Sequence, residues 1–504
     1  MEIDVVNSVA KGRGSPLALL RLYCPGQTMA LTADEIFLRA TATANYLTHK
    51  GIRPGDHVGI YSRNRLRYIL LDLACIQVGA IFCALDPLKQ FDLQDIKFRY
   101  GFRLLFTEGP AETSIDLADI EILPPQSERL FPAKVYGDDD TPAIKFTSGT
   151  TGNPKGIAAR AASINSSINE IQALFQHSPE DRVLLFLPLS LLQQRYWIYS
   201  ALVYGFELIL TTPAMWLTAC KNLNPTVIMG VPGVFEEMRR EVIKQWEKSG
   251  KEKSAIEIQK AVLGKLLGNN IRYLWSGSAP ASRELIEFYH ERDMPLYHGY
   301  GSNEACIVAK NHPGAYKPGS SGKLLPSKSV SFDADGQIYI NSKQPVNVRY
   351  QYFNSEEDQL IFQGNTIKTG DIGYLDEDGF LYVTGRYSDF FKLDSGLPVH
   401  PEPIEQQLKH IHYVTEAIVA GEGRPFPCAL IFCSDPDTTT DKIGGDLEKI
   451  NAHFSKEKRI RKFRVLPMDE NRKSVYFTNQ NKPIRRKILQ DFSEIIDGIY
   501  NECK

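Results

Sequence analysis

Between Phe146 and Gly156 the chain reads Phe-Thr-Ser-Gly-Thr-Thr-Gly-Asn-Pro-Lys-Gly. Glycine lets a backbone approach an anion with no side chain in the way. Hydroxyls and amide N–H groups donate to phosphate oxygens, and Lys155 adds a mobile positive charge. This is equipment for wrapping a polyphosphate, and it predicts an ATP-using protein. A Walker loop needs Lys directly after Gly and before Ser or Thr, whereas Lys155 follows Pro154 and precedes Gly156, so that pattern is excluded by spacing. A plain Thr- and Gly-rich surface turn shares the composition but not so many fitting positions.

Further stretches follow in order: Ser276-Gly277-Ser278-Ala279-Pro280, Gly299-Tyr300-Gly301-Ser302-Asn303-Glu304, Thr369-Gly370-Asp371, Gly385-Arg386 and a lysine near the C-terminus. Together with the 146–156 loop they resemble the adenylate-forming superfamily of acyl-CoA synthetases, peptide-synthetase adenylation domains and beetle luciferases. The resemblance runs from about Leu31 to Tyr500. It is strongest toward long-chain fatty acyl-CoA synthetases, through Leu187-Pro188-Leu189-Ser190, Val231-Pro232-Gly233-Val234-Phe235-Glu236, Pro401-Glu402-Pro403-Ile404-Glu405 and Gly423-Arg424-Pro425.

In such a reaction a carboxylate attacks the α-phosphorus of ATP, so two anions must be brought together and screened. Thr147, Ser148, Gly149, Thr150, Thr151, Gly152 and Lys155 are the phosphate candidates. Glu304 is a hard oxygen donor suited to Mg²⁺. Tyr300 stands between Gly299 and Gly301, which would leave its ring open to a flat base. Asp371 offers acceptors for ribose hydroxyls, and Arg386 donors for the sugar or the α-phosphate. The resemblance extends the nucleotide set to Gly277, Ser278, Ala279, Ser302, Asn303 and Lys392, and places the acyl group near Leu191, Gly299 and Ser302. It assigns catalysis to Thr151, Glu304 and Lys482. Lys482 is chosen over Lys487 because it follows Thr478 by four residues and precedes Arg485-Arg486 by three. Pro483 would then occupy the first turn of a helix, with Lys487 on that helix.

Four positions depart from the family pattern. Asn303 stands where Thr is usual, and Asn481 where Gly or an apolar residue is. Leu191 replaces a frequent His at the acyl entrance, and Ser388 the Asp or Lys of the hinge. The expected reaction is activation of a hydrophobic, fatty-type acid by MgATP and transfer to the thiol of coenzyme A. An acyl carrier protein as acceptor, an aryl or specialised acid, and a nucleotide-binding homologue without turnover stay open. The basic run Lys458 to Arg464 would suit an acidic carrier, although such a run reads first as a solvated helix face.

These residues need a scaffold of two or three packed units, since 504 residues exceed one core. Short aliphatic runs at Val58–Tyr61, Val183–Leu187, Glu207–Leu210, Val227–Val231 and Ile271–Trp275 alternate with amphipathic stretches. That predicts an α/β protein: a large N-terminal domain of parallel sheets layered with helices, a small β-rich subdomain from Val330, and a small mobile α+β C-terminal domain. In the β-rich part Gln337–Asn341 and Phe380–Thr384 read as paired strands. The boundary is placed at Arg386, giving 1–386 for ATP and acyl binding and 387–504 as a lid carrying Lys482. With 58 basic and 60 acidic residues, net charge −2, no global field favours nucleic acid. Eight cysteines without a Cys-x-x-Cys pair fit reduced thiols in the cytoplasm. The N-terminus lacks a secretory pattern, and the apolar window Tyr68–Leu85 reads as a buried helix and strand, not a membrane span.

Overall fold

The computed structural model describes residues 2–24, 27–87, 91–109, 114–121, 123–147, 155–248, 255–350, 361–411, 413–433, 440–477 and 483–501. By backbone proximity the chain forms two compact units, 1–331 with 339–369 and 375–381, and 332–338 with 370–374 and 382–504.

The first unit holds two layered sheets. One has nine strands in the order Lys323–Leu324, Cys306–Lys310, Leu296–Ser302, Tyr273–Ser276, Val227–Gly230, Arg182–Leu185, Glu207–Leu210, Leu19–Cys24 and Gln27–Thr32. The run from Leu296–Ser302 to Leu19–Cys24 is parallel, with antiparallel neighbours at both ends. The other has six strands, Ile115–Asp116, Phe102–Thr107, His57–Tyr61, Ile81–Leu85, Ala143–Thr147 and Lys155–Ala159, parallel except for the last pair. Parallel strands covered on both faces must be apolar throughout, and Val183, Leu184, Leu185, Val227, Ile228 and Leu274 are indeed almost wholly buried.

Helices end where the sequence provides the chemistry. Thr32 and Glu35 form a reciprocal capping box at the start of Ala33–His49. Gly79 closes Leu66–Val78 with φ 86°, its N–H donating to Cys75 O. One polar group breaks the apolar interior between helices Leu66–Val78 and Leu192–Tyr204. There Arg195 Nη1 donates to Asp72 Oδ1 at 3.0 Å, Tyr199 Oη donates to Asp72 Oδ2 at 2.6 Å, and both charged side chains are essentially inaccessible to solvent.

A further sheet runs Lys328–Phe332, Gln337–Ser342, Thr366–Leu375, Phe362–Gln363, with Leu381–Arg386 paired to Thr366–Leu375. Gln337–Asn341 and Phe380–Thr384 were expected to pair directly. They instead flank Thr366–Leu375, because the turn at Asp376–Gly379 closes back on that strand, Gly379 N donating to Asp376 O. In the second unit, Val414–Ala420, Cys428–Cys433 and Lys462–Pro467 form a three-stranded sheet beside helix Pro401–Lys409. Its core gathers Phe391, Val399, Ile404, Leu408, Val414, Val419, Ile431 and Ile443. The basic run does not lie on a helix: it turns at Lys458 and enters strand Lys462–Pro467, parallel to Cys428–Cys433, with Lys462 exposed at its start and Leu466 buried near its end. Pro483 also falls outside the helix, which begins at Arg485 with Ile484 as its cap. The window 68–85 is the helix and strand expected, and among the described residues no helix is long and apolar enough to cross a membrane.

Candidate active site

Strands Ala143–Thr147 and Lys155–Ala159 pair antiparallel in the register Thr147↔Lys155 and Lys145↔Ile157. The expected phosphate loop joins them. Of that loop Ser148, Gly149, Thr150, Thr151 and Gly152 lie outside the described residues, as does Lys482. Lys155 is described at the mouth of the hairpin, its Nζ 5.1 Å from the centre of the Tyr350 ring. Tyr350 is buried, and its Oη donates to Glu304 Oε1 at 2.8 Å. Glu304 is thus reached from the hairpin through one aromatic ring. Next to it, Lys145 Nζ donates to Asn303 Oδ1.

The form of strand Leu296–Ser302 follows from tight packing. Cys306–Lys310 runs antiparallel to it, with an irregularity between Tyr300 and Gly301. A Cβ on Gly299 would lie 2.5 Å from Lys310 Cδ, and one on Gly301 would lie 2.2 Å from Cys306 O. The two glycines are therefore required by the neighbouring strand, whatever they also allow at Tyr300. Strand Tyr273–Ser276 pairs with Leu296–Ser302 through Ser276↔His298, which carries Gly277, Ser278 and the half-buried Ala279 to the same sheet end. A Cβ on Gly277 would stand 3.6 Å from Gly299 O. Ser278, at φ 69°, and Cys306, at φ 60°, are both left-handed, a conformation non-glycine residues adopt at a cost. Ser302 Oγ accepts from Ala305 N at 3.1 Å and fixes the turn that carries Asn303 and Glu304.

Beneath this sheet end lies a polar group that sequence reading missed. Lys310 is buried; its Nζ donates to Ser276 O at 3.0 Å and Tyr297 O at 2.9 Å, and lies 3.4 Å from the Trp275 ring centre. Burial holds its pKa well below the ordinary lysine value. His298 is pushed down to about 3, by burial first and by Lys310 second. Ser276 Oγ and His298 Nδ1 have no protein partner among the described residues. The only sequence signal was a lysine ending an otherwise apolar strand.

Leu191 precedes helix Leu192–Tyr204, and its segment is pinned by Asn64, which donates to Leu187 O and accepts from Leu189 N. A cavity of about 20 Å³ beside that helix is lined by Ser167, Ile168, Ile171, Gln193, Tyr196, Trp197, Ser200 and Ile307, and not by Leu191. Tyr196 Oη has no partner among the described residues.

In the second unit Asp371 lies buried on strand Thr366–Leu375, and Arg386 Nε meets its Oδ1 at 3.0 Å. Gly370, at φ 71°, accepts from Tyr387 N and so ties the two motif strands together. Ser388 Oγ donates to Asp389 Oδ1 at 3.0 Å. Lys392 is exposed on the short ribbon Phe391–Lys392 with Pro398–Val399, its N–H donating to Glu422 Oε2. The two ends of the segment bearing Lys482 are paired, Phe477 bridging Pro483 and Ile484 N donating to Tyr476 O.

Glu402, beside Gly385, is pushed up to about 7 by burial and then by Glu405, with Asp371 and Asp389 adding and Lys409 opposing. A carboxyl whose folded pKa is raised binds its proton more tightly folded than unfolded. Its contribution is fully present below the ordinary value of 4.5 and is lost as pH rises through about 7. Glu402→Gln is therefore expected to stabilise the protein by about 2 kcal/mol at pH 8 and to flatten its pH dependence. Urea midpoints of both proteins between pH 5 and 8 check this; parallel curves would remove Glu402 as the cause.

A sequence model of AMP-binding enzymes matches residues 9–341, and one of the AMP-binding enzyme C-terminal domain matches residues 389–504. The chain is 27% identical to the long-chain-fatty-acid–CoA ligase FadD15 of Mycobacterium bovis, over 94% of this chain and 92% of that one. It is 27% identical to the 2-succinylbenzoate–CoA ligase of Bacillus subtilis, over 78% and 81%. Among solved structures, O-succinylbenzoate coenzyme A synthetase from Bacillus subtilis in complex with AMP superposes with a TM-score of 0.76 at 23% identity, covering 96% and 97% of the chains. The anthranilate CoA ligase AuaEII with anthranoyl-AMP gives 0.78 at 19% identity, covering 99% and 98%.

Proposed function

This chain belongs to the AMP-binding enzyme family, and from that premise we propose that it is an acid–thiol ligase acting through an acyl-adenylate. A carboxylate oxygen of the acid forms a bond to the α-phosphorus of ATP as the bond to the β-phosphate bridging oxygen breaks, releasing pyrophosphate. A pantetheine thiol then gives up its proton, its sulfur bonds to the acyl carbon, and the carbon–oxygen bond to AMP breaks. The observation that carries this reading is the Lys155–Tyr350–Glu304 connection. It sets a cation at the phosphate hairpin and a carboxylate at the end of the Gly299–Ser302 stretch into one constellation.

Within this reading Gly277, Ser278, Ala279 and Gly299 to Ser302 receive the adenosine end, Asn303, Lys155 and its loop the phosphates, and Asp371 and Arg386 the ribose. Residues 1–386 form the adenylation domain and 387–504 the lid with Lys482. Glu304 fits a magnesium ion: its Oε1 is held in place by Tyr350, and a carboxylate is the hard oxygen donor such a cation takes. Such an ion would screen phosphate charge. The residues of this chain orient the nucleotide. Glu304→Gln is expected to raise the Mg²⁺ concentration for half-maximal pyrophosphate release about tenfold. An unchanged magnesium curve would take Glu304 out of the metal site.

A fatty-type acid and coenzyme A are the first assignment, in keeping with the likeness to FadD15 over almost the whole chain. An aryl or otherwise specialised acid is the second, in keeping with the likeness to the 2-succinylbenzoate–CoA ligase of Bacillus subtilis. Pyrophosphate and AMP release from MgATP, with fatty acids of graded length and several aryl acids, each with and without coenzyme A, separates them. AMP turnover only with coenzyme A supports the ligase and names its acid class. Pyrophosphate without coenzyme A-dependent turnover points to a carrier-protein acceptor. No pyrophosphate from any acid overturns the catalytic reading.

A further inference from the structure

Asn303 and Glu304 are neighbours in the chain, and each is tied to a lysine of the same hairpin. Lys145 pairs across the hairpin with Ile157, and Lys155 precedes Ile157 by two residues, so both lysines stand on one face. Lys155 reaches Glu304 through Tyr350, and Lys145 reaches Asn303 directly. An ammonium group only donates, so its partner on the Asn303 amide must be Oδ1, and the orientation of that amide follows from chemistry. With Oδ1 engaged, Asn303 presents its NH₂ group to whatever enters.

We propose that Lys145 is a positioning residue of the nucleotide site, holding the Asn303 amide so that its NH₂ donates to a phosphate oxygen of the bound nucleotide. This rests on the nucleotide-binding part of the function proposed above. An unheld amide presents oxygen or nitrogen with similar ease, and the oxygen would repel an anion. A threonine would need no such partner, because a hydroxyl rotates to donate. Lys145 thus makes Asn303 serviceable where a hydroxyl residue would act alone.

The test is equilibrium binding of MgATP and of adenosine to the full chain, in wild type, Lys145→Met, and Lys145→Met combined with Asn303→Thr, with thermal melting of each. Lys145→Met is expected to weaken MgATP about tenfold, the loss of one charge-assisted contact, and to leave adenosine within about twofold. Adding Asn303→Thr should recover most of the MgATP loss. The inference is overturned if Lys145→Met binds MgATP like wild type, if adenosine weakens as much as MgATP, or if Asn303→Thr recovers nothing. The last result would mean that Lys145 meets the phosphate itself. If wild type binds MgATP but releases pyrophosphate with no acid, the ligase reading falls, and the Lys145 assignment is still decided by these affinities. If it binds no nucleotide, both fall.

Discussion

Lys482→Ala is expected to slow acyl-adenylate formation by a factor of roughly 10² to 10³, the usual cost of removing a charge aimed at a developing anion. The attack places extra negative charge on oxygens around the α-phosphorus, and a lysine held against them acts when that charge is greatest. Thiolysis of a supplied acyl-adenylate has no such demand at phosphorus, so it should stay within about threefold of wild type. Gly396→Leu should do the reverse. At φ 79° this glycine turns the loop after Phe391–Lys392 in a conformation that leucine adopts only under strain. Pyrophosphate release and adenylate consumption, assayed separately, read both variants. Normal adenylation by Lys482→Ala together with its loss in Lys487→Ala would show that the other lysine is the catalytic one.

The largest effect on stability is expected at Asp72. Removing its carboxylate leaves the Arg195 guanidinium buried without a counter-charge, and takes the acceptor from Tyr199 Oη. Arg195 Nε and Nη2 already have no protein partner among the described residues, so little is at hand to compensate. Breaking such a pair from one side costs about 3–5 kcal/mol, because a desolvated charge is stranded. Asp72→Ala should shift the urea midpoint accordingly. Asp72→Leu combined with Arg195→Met should regain most of the loss, since it removes both charges and keeps the volume. A double variant as unstable as the single one would show that shape complementarity, not charge, dominates there.

Much of the scaffold was legible because its elements are short, apolar and bounded by turn residues. Strands such as Val227–Gly230 and Glu207–Leu210 fall within a residue of their sequence readings. Thr366–Leu375 was read only as a motif, since its Thr-Gly-Asp centre resembles a turn in sequence. The pairing of Gln337–Asn341 was misassigned once that strand was absent from the count. At the site, motif residues were legible by type, and the residues that hold them were not. Tyr350, Lys145 and Lys310 act through contacts with chain segments between 10 and 200 residues away, and nothing local marks them. The glycines around Tyr300 were read for what they leave open at its ring, and the packing of Cys306–Lys310 gives them a second reason that the sequence did not show.

The bridge between Phe477 and Pro483 sets a tether length. Pro483 is fastened to Phe477, and Ile484 to Tyr476, at the neck of the segment. The two ends of the 478–482 segment are therefore held together as one part of the second unit. Under the proposed role of Lys482, the moment at which the segment serves a phosphate is then set by the unit that carries the neck.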